Sequence, residues 1–211
     1  MCSGRVDLSH LFRAFSNGID GVFIGGCHLK ECNYVTQGNY HALNLVLLSK
    51  RIMKHIGLNP DRLRIEFMSS GEGNLFARAV DDFVKTVREA GPLGISEGLD
   101  CETLELNLKA VSRLIPYIRL VESERLRAHF ETQDQFKAFY ASDEFERLFK
   151  ELIADKLAIG QIMALLQEKP LSTGEISEIL GLSQSDVSKH LNNSAKQGLV
   201  RYEENQKRFA L

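Results

Sequence analysis

The chain has 211 residues, 44% of them hydrophobic and 26% charged, values ordinary for a folded globular protein. A net charge of −2 excludes a global field that would draw the whole molecule to nucleic acid or anionic lipid. No apolar run approaches the roughly 18–20 residues of a membrane span, and the first residues lack the basic-then-apolar layout of a signal peptide, so the expected compartment is the cytoplasm, with no membrane partner.

The charge is unevenly spread. Residues 1–91 hold 11 Lys/Arg against 9 Asp/Glu, a net of +2; residues 92–155 hold 8 against 13, a net of −5; residues 156–211 hold 7 against 6, a net of +1. These shifts coincide with changes in hydrophobic period. They predict three parts: a small parallel-sheet α/β domain over 1–91, a helical linker or docking segment over 92–155, and a winged helix–turn–helix over 156–211.

In the first part Asp7 caps a helix carrying Leu8, Leu11, Phe12 and Phe15 at helical spacing, stopped by Asn17-Gly18. Val22-Phe23-Ile24 reads as a buried strand. A second helix from about Asn39 presents Ala42, Leu45, Val46, Ile52, Met53 and Ile56. Asn59-Pro60 turns the chain into Leu63-Arg-Ile65-Glu-Phe67, which alternates as a strand does. A third helix presents Phe76, Ala79, Val80, Phe83, Val84 and Val87 and ends at Gly91-Pro92. Helix, strand, helix, strand, helix is the order of a parallel α/β sheet. Met1-Cys2-Ser3-Gly4 reads as the exit from a further strand, so a leading βα unit is expected to be missing or supplied elsewhere.

The middle part reads as helices without a single large core. Leu104, Leu108, Val111 and Ile115 mark one, which Pro116 is expected to kink or divide; Phe136, Phe139, Phe145, Leu148, Phe149 and Leu152 mark another. In the last part Ile162, Leu165 and Leu166 lie on a helix broken by Pro170. Ser172-Thr-Gly-Glu175 offers a capping box ahead of Ile176, Ile179 and Leu180. Ser183 or Ser185 caps a helix with Val187, Leu191 and Ala195, and residues 199–210 read as strand, turn and strand. That layout is a winged helix.

Of the four cysteines, Cys2, Cys27 and Cys32 fall in the first 32 residues and Cys101 stands apart. In a reducing compartment clustered cysteines point to metal binding or catalysis. Ligand sites of open α/β sheets gather beyond the carboxyl ends of the strands. Cys27 stands there, after Val22–Ile24, and Gly25 and Gly26 let backbone amides approach a bulky ligand. Thiolates from separate loops suit an iron–sulfur cluster. A C-x4-C pair also reads as a purely structural turn; zinc would favour tighter pairs, and His28, adjacent to Cys27, is poorly placed to share its metal. Ser69-Ser70-Gly71, after the second strand, reads either as a set of donors to the site or as a helix cap.

The stretch "CSGRVDLSHLFRAFSNGIDGVFIGGCHLKECNYVTQGNYHAL" and the later "PDRLRIEFMSSGEG" resemble the iron–sulfur (delta) subunit of methyl-viologen-reducing hydrogenase, which docks on heterodisulfide reductase. The shared motifs are Cys2-Ser-Gly-Arg5, Gly26-Cys27-His28, Cys32 with Tyr34, and Gly38-Asn39, over residues 1 to about 92. The resemblance implies a [2Fe–2S] electron carrier that serves flavin- and iron–sulfur-containing reductase subunits and hydrogenase subunits. By position it implies Cys2, Cys27 and Cys32 as cluster ligands, Arg5 as a charge-assisted donor, and His28 and Asn33 as neighbours. Members of that family begin with a further cysteine-bearing βα unit, absent here, so the fourth ligand is unaccounted for and Cys101 is a poor substitute. The chain alone is therefore expected to hold a cluster weakly.

The last segment is similar to the ArsR-like winged-helix regulators, above all across "DVSKHLNNSAKQGLV". Its second helix, about Gln184–Gln197, offers Ser185, Ser188, Lys189, His190, Asn192, Asn193 and Lys196 to DNA, with Arg201, Lys207 and Arg208 near the wing. Two functions are thus expected in competition: an electron-transfer subunit of an oxidoreductase complex with no complete active site of its own, or a redox-responsive transcription regulator. No nucleophile elbow, phosphate loop or paired acid–base motif supports a hydrolase.

Overall fold

The computed structural model describes residues 2–34, 38–127 and 130–211; residues 35–37, inside the stretch that carries the family resemblance, lie outside the described residues. The protein is mixed α/β and mostly helical, with a parallel two-stranded sheet near the start and a winged helix at the end. It divides into two compact units, Met1–Leu148 and Phe149–Leu211.

In the first unit the Asp7 carboxylate accepts the Ser9 amide at 2.8 Å and opens α1 (Leu8–Ser16), whose Leu8, Leu11, Phe12 and Phe15 are all buried. Strands β1 (Val22–Gly26) and β2 (Leu63–Phe67) pair in parallel, with Val22 opposite Leu63 and Gly26 opposite Phe67. A parallel pair needs a crossover, and α2 (Asn39–His55) provides it, burying Ala42, Leu45, Val46, Ile52 and Met53. The carboxyl ends of both strands therefore open on one rim.

Helix α3 (Gly73–Ala90) departs from the expected burial. Of its apolar stripe only Phe83 is buried, against Phe23 at a ring separation of 5.6 Å, while Phe76 stays 49% and Val84 38% exposed. A sheet of two strands is too narrow to cover the whole stripe.

Helix α4 (Cys101–Val121) runs through Pro116 without dividing and ends in a single π-helical turn, Glu122–Leu126. Packing along α1 and the Arg119–Asp7 ion pair hold it in place of the hydrogen bond that proline removes. Helices α5 (Gln133–Tyr140) and α6 (Asp143–Phe149) follow. This region was expected to lack a large core, yet Leu108, Val111, Ile115, Ile118, Val121 and Phe136 are buried, because α4 lies along α1 and α5 against α2.

Arg62, wholly buried, sits at the centre of the first unit. Its guanidinium bonds the Glu97 carboxylate at 2.6 and 3.1 Å and donates to the carbonyls of Asp20, Ala90, Gly91 and Pro92. The Gly91-Pro92 turn is thereby fixed to the start of β1.

The second unit contains α7 (Asp155–Glu168), α8 (Thr173–Leu180), α9 (Gln184–Lys196) and the antiparallel pair β3 (Arg201–Glu203) and β4 (Arg208–Ala210). The capping box of Ser172 with Glu175 forms, Gly181 takes the left-handed conformation at φ +64, and Ser183 caps α9. Ile162, Leu166, Leu171, Ile176, Val187, Leu191 and Val200 make one core.

Candidate metal centre

Three thiols meet at the rim above the strand ends. Cys2 caps the turn Ser3–Arg5 and its sulfur accepts the Gly4 amide at 3.4 Å. Cys27 directly follows β1. Cys32 lies in the loop leading to α2, with its Sγ 3.7 Å from that of Cys2; Cys27 interacts with both.

Cys32 is seated by the backbone around it. A Cβ on Gly38 would stand 2.3 Å from the Cys32 sulfur and 2.5 Å from the Tyr34 carbonyl oxygen, so only glycine leaves room. The sulfur receives the amides of Tyr34 and of Asn39, the first residue of α2. Burial acts to raise its pKa, but these amides and the neighbouring thiols outweigh burial and hold Cys32 below the usual thiol range. Burial pushes the Cys27 thiol up, and the adjacent Cys32 and Cys2 add to the effect.

Asn39 ties the loop together. Its side-chain amide donates to the carbonyls of Cys27 at 2.9 Å and His28 at 2.7 Å and reaches the Cys27 sulfur at 3.7 Å. His28 turns toward Glu72, Nε2 to Oε2 at 2.6 Å, and the same oxygen accepts the Ser69 amide. The Ser69 amide first and His28 second hold the Glu72 carboxyl below its ordinary range. The Arg5 side chain is exposed and, among the described residues, makes no hydrogen bond or ion pair, while its backbone amide donates to the Cys2 carbonyl at 3.0 Å; Asn33 is exposed as well. Asn39, Gly38 and Glu72 carry roles that the sequence reading did not assign. Glu72 had a local signal, the Ser69-x-x-Glu72 spacing of a capping box, whereas Gly38-Asn39 stood out through the family resemblance, which assigned them no role.

Beside the thiols lies a cavity of about 420 Å3, lined by Cys2, Gly25, Gly26, Cys27, Ser69 and Ser70 among others. Ser69 is thus at the cavity rather than at the helix cap, since α3 begins only after Glu72. A Cβ on Gly25 would meet nothing within 4 Å, so the glycine leaves space on the cavity side. Among the described residues no three His, Cys, Asp or Glu side chains are arranged to hold a single metal ion. An iron–sulfur cluster, which spreads its iron over several thiolates, fits this donor set in kind and is one thiolate short in number. Cys101 opens on a different cavity, of about 700 Å3, beside Phe15 and Leu104.

In the second unit the expected DNA-reading residues separate into two groups. Ser185, Lys189, Asn192, Asn193, Lys196, Arg201 and Lys207 are exposed, and Ser188 is half-buried. His190 is buried, so it packs instead of reading. Arg208 is engaged with the Pro170 carbonyl at 3.3 Å and Glu175 at 2.7 Å.

Fold and site together define a thiol-bearing α/β unit joined in one chain to a winged helix–turn–helix. Residues 1–91 match the family described as "Methyl-viologen-reducing hydrogenase, delta subunit", and residues 161–202 match "Bacterial regulatory protein, arsR family". The chain belongs to the first of these families: it is 36% identical over 92 residues to an iron-sulfur subunit of the vhu F420-non-reducing hydrogenase from Methanopyrus kandleri, covering 69% of it and 44% of this chain. It is 43% identical over 91 residues to an iron-sulfur subunit of the F420-non-reducing hydrogenase from Archaeoglobus profundus, covering 66% of that protein and 43% of this chain. It is also 39% identical over 101 residues, 48% of this chain, to 13% of one polypeptide of the ferredoxin/F420H2-dependent CoB-CoM heterodisulfide reductase from Methanosarcina acetivorans. The chain thus spans about two thirds of the hydrogenase subunits it matches and about an eighth of the reductase polypeptide. No helix among the described residues is long and apolar enough to cross a membrane.

Proposed function

We propose that this chain is an iron–sulfur electron-transfer subunit of a cytoplasmic oxidoreductase complex of the hydrogenase and heterodisulfide-reductase type, with Cys2, Cys27 and Cys32 as ligands of a [2Fe–2S] cluster. The observation that carries the reading is the meeting of three thiols at the strand ends, Cys2 from the turn ahead of α1 and Cys27 and Cys32 from the loop between β1 and α2, with Cys2 and Cys32 in contact at 3.7 Å. The names of the relatives, one an iron-sulfur polypeptide of a hydrogenase and the other part of a heterodisulfide reductase, support it. Such a cluster supplies one-electron exchange between neighbouring centres. The protein's part is to hold the thiolates: Gly38 leaves room for Cys32, the amides of Tyr34 and Asn39 stabilise its negative charge, and Asn39 fixes the Cys27 loop. His28, oriented by Glu72, and Arg5 stand on the rim where a partner approaches. The described residues supply three thiolates to such a cluster, and a flavin- and iron–sulfur-containing reductase subunit is the partner.

Anaerobic reconstitution with ferrous iron and sulfide tests this. The chain alone should take up iron weakly, its reductase partner should stabilise a two-iron centre, and serine at Cys2, Cys27 or Cys32 should lower iron content in the complex while serine at Cys101 does not. A complex that holds no iron at these thiols overturns the reading, and a stable stoichiometric cluster on the chain alone overturns the three-ligand form of it.

A second reading, a redox-responsive regulator, draws on the ArsR-family match and on Lys189, Asn192 and Lys196, exposed together on α9. It requires salt-dependent duplex binding that changes with the oxidation state of the thiols.

A further inference from the structure

We infer that Cys2 and Cys32 form a reversible dithiol–disulfide couple, a redox lock that ties the turn after Cys2 to the loop ahead of α2 when no metal is bound. Their sulfurs are in van der Waals contact at 3.7 Å although 30 residues separate them in sequence. A bond of about 2.05 Å requires the arms to close by less than 2 Å. The two partners are not equally free to move. Cys32 is boxed in by Gly38, whose backbone leaves no space behind the sulfur. Among the described residues the Cys2 sulfur accepts one hydrogen bond besides its contact with Cys32, from the Gly4 amide, and Cys2 sits at the head of a three-residue turn. Cys2 therefore swings toward a fixed Cys32. Cys27 is the less suitable partner, because Asn39 holds both its carbonyl and its sulfur.

The oxidant is a low-molecular-weight disulfide. One protein thiolate attacks it, forming a mixed disulfide and releasing one small thiol. The second protein thiolate then attacks the protein sulfur of that mixed disulfide and releases the other small thiol. The protein loses two protons and two electrons, and the small disulfide gains both. The cavity of about 420 Å3 that Cys2 and Cys27 line admits such a reagent to the rim.

The bond exists independently of any iron. Its consequence rests on the cluster reading: with two of three thiolates spent, the oxidised protein has no site to load, so the lock makes iron uptake conditional on reduction.

The 211-residue chain, reduced and metal-free, is treated anaerobically with glutathione disulfide and digested after alkylation. The expected product is 2 Da lighter, has two titratable thiols in place of the four of the reduced chain, joins the Cys2 and Cys32 peptides, and reverts with dithiothreitol. C27S should still form the link and C32S should not, the circular dichroism of both serving as a check on folding. Four remaining thiols, stable glutathione adducts, or a dominant link from Cys27 overturn the lock. Ferrous iron and sulfide are then offered to both forms in the presence of the reductase partner. Uptake by the reduced form alone supports the gate; uptake by neither form leaves the lock standing and removes the cluster reading.

Discussion

Gly38 and Arg62 hold the first unit together through contacts that no local pattern announces. Replacing Gly38 with alanine places a methyl group within 2.5 Å of a sulfur and a carbonyl oxygen. The loop must shift, at a cost of about 1–3 kcal/mol, and Cys32 leaves Cys2. G38A should therefore lower the denaturation midpoint and slow Cys2–Cys32 oxidation together; a variant with wild-type oxidation kinetics would show that the seat is not rigid. Arg62 presents a different case, a buried charge satisfied by Glu97 and four carbonyls. Removing one partner of such a pair costs about 3–5 kcal/mol, which R62A should show in urea denaturation. Burial alone would raise the Glu97 carboxyl; the guanidinium of Arg62 and the amides of Asn59 and Gly94 hold it below the usual range. A depressed carboxyl contributes stability that is present above its unfolded pKa, about 4.3, and is lost as pH falls through the folded value. E97Q should thus be less stable than wild type at neutral pH and should converge toward it under acid. The cysteines were legible in the sequence because thiols in a reducing compartment are informative by type alone. The roles of Gly38, Asn39 and Arg62 were not, although Gly38-Asn39 belongs to a motif shared with the family, since what these residues do depends on neighbours brought near by folding.

Periodicity located most elements because burial on one face imposes it, and α1, α2 and the winged helix follow the expected boundaries closely. Where it misled, a neighbouring element decided. Pro116 was expected to kink or divide a helix, yet α4 continues through it without dividing, packed along α1 and tied by the Asp7–Arg119 pair. Asp7 is drawn down to about 2, against burial that would raise it, by Arg119 and by the Ser9 hydroxyl and amide. The apolar period of α3 promised a buried face, and the two-stranded sheet has no width to bury it. Two sets of substitutions separate pattern from packing there. F83A removes a buried ring and should cost about 3–5 kcal/mol. L75K combined with V84K alters side chains that are 45% and 38% exposed and should change stability by no more than about 0.5 kcal/mol per site. Thermal denaturation of the isolated chain measures both, and a large loss from the lysine pair would mean that α3 packs more deeply than its exposure indicates.

At the level of the whole molecule, the two units differ in what their charge permits. Residues 149–211 carry 8 Lys/Arg and 8 Asp/Glu, so a unit with a nucleic-acid-binding fold has no net attraction to nucleic acid. Affinity for duplex DNA comes largely from phosphates neutralised by basic side chains, each contributing about −0.9 to the slope of log K against log salt. On α9 and the wing the exposed cations among those expected to face DNA are Lys189, Lys196, Arg201 and Lys207. Arg201 is shared with Glu203 at 3.5 Å, and Arg208 is committed to Glu175. Four contacts set a limit of about −3.6 for one chain, a shallow dependence that leaves weak binding at physiological salt. Fluorescence anisotropy with a labelled duplex over a salt series should give a slope no steeper than this for one bound chain. K189A combined with K196A should flatten it by about 2. A slope near twice the limit would identify two chains on one site, as a dimeric regulator requires, and would move the weight from an electron carrier to a DNA reader. A slope indifferent to Lys189 and Lys196 would take α9 out of the groove and leave the winged helix as a surface for protein.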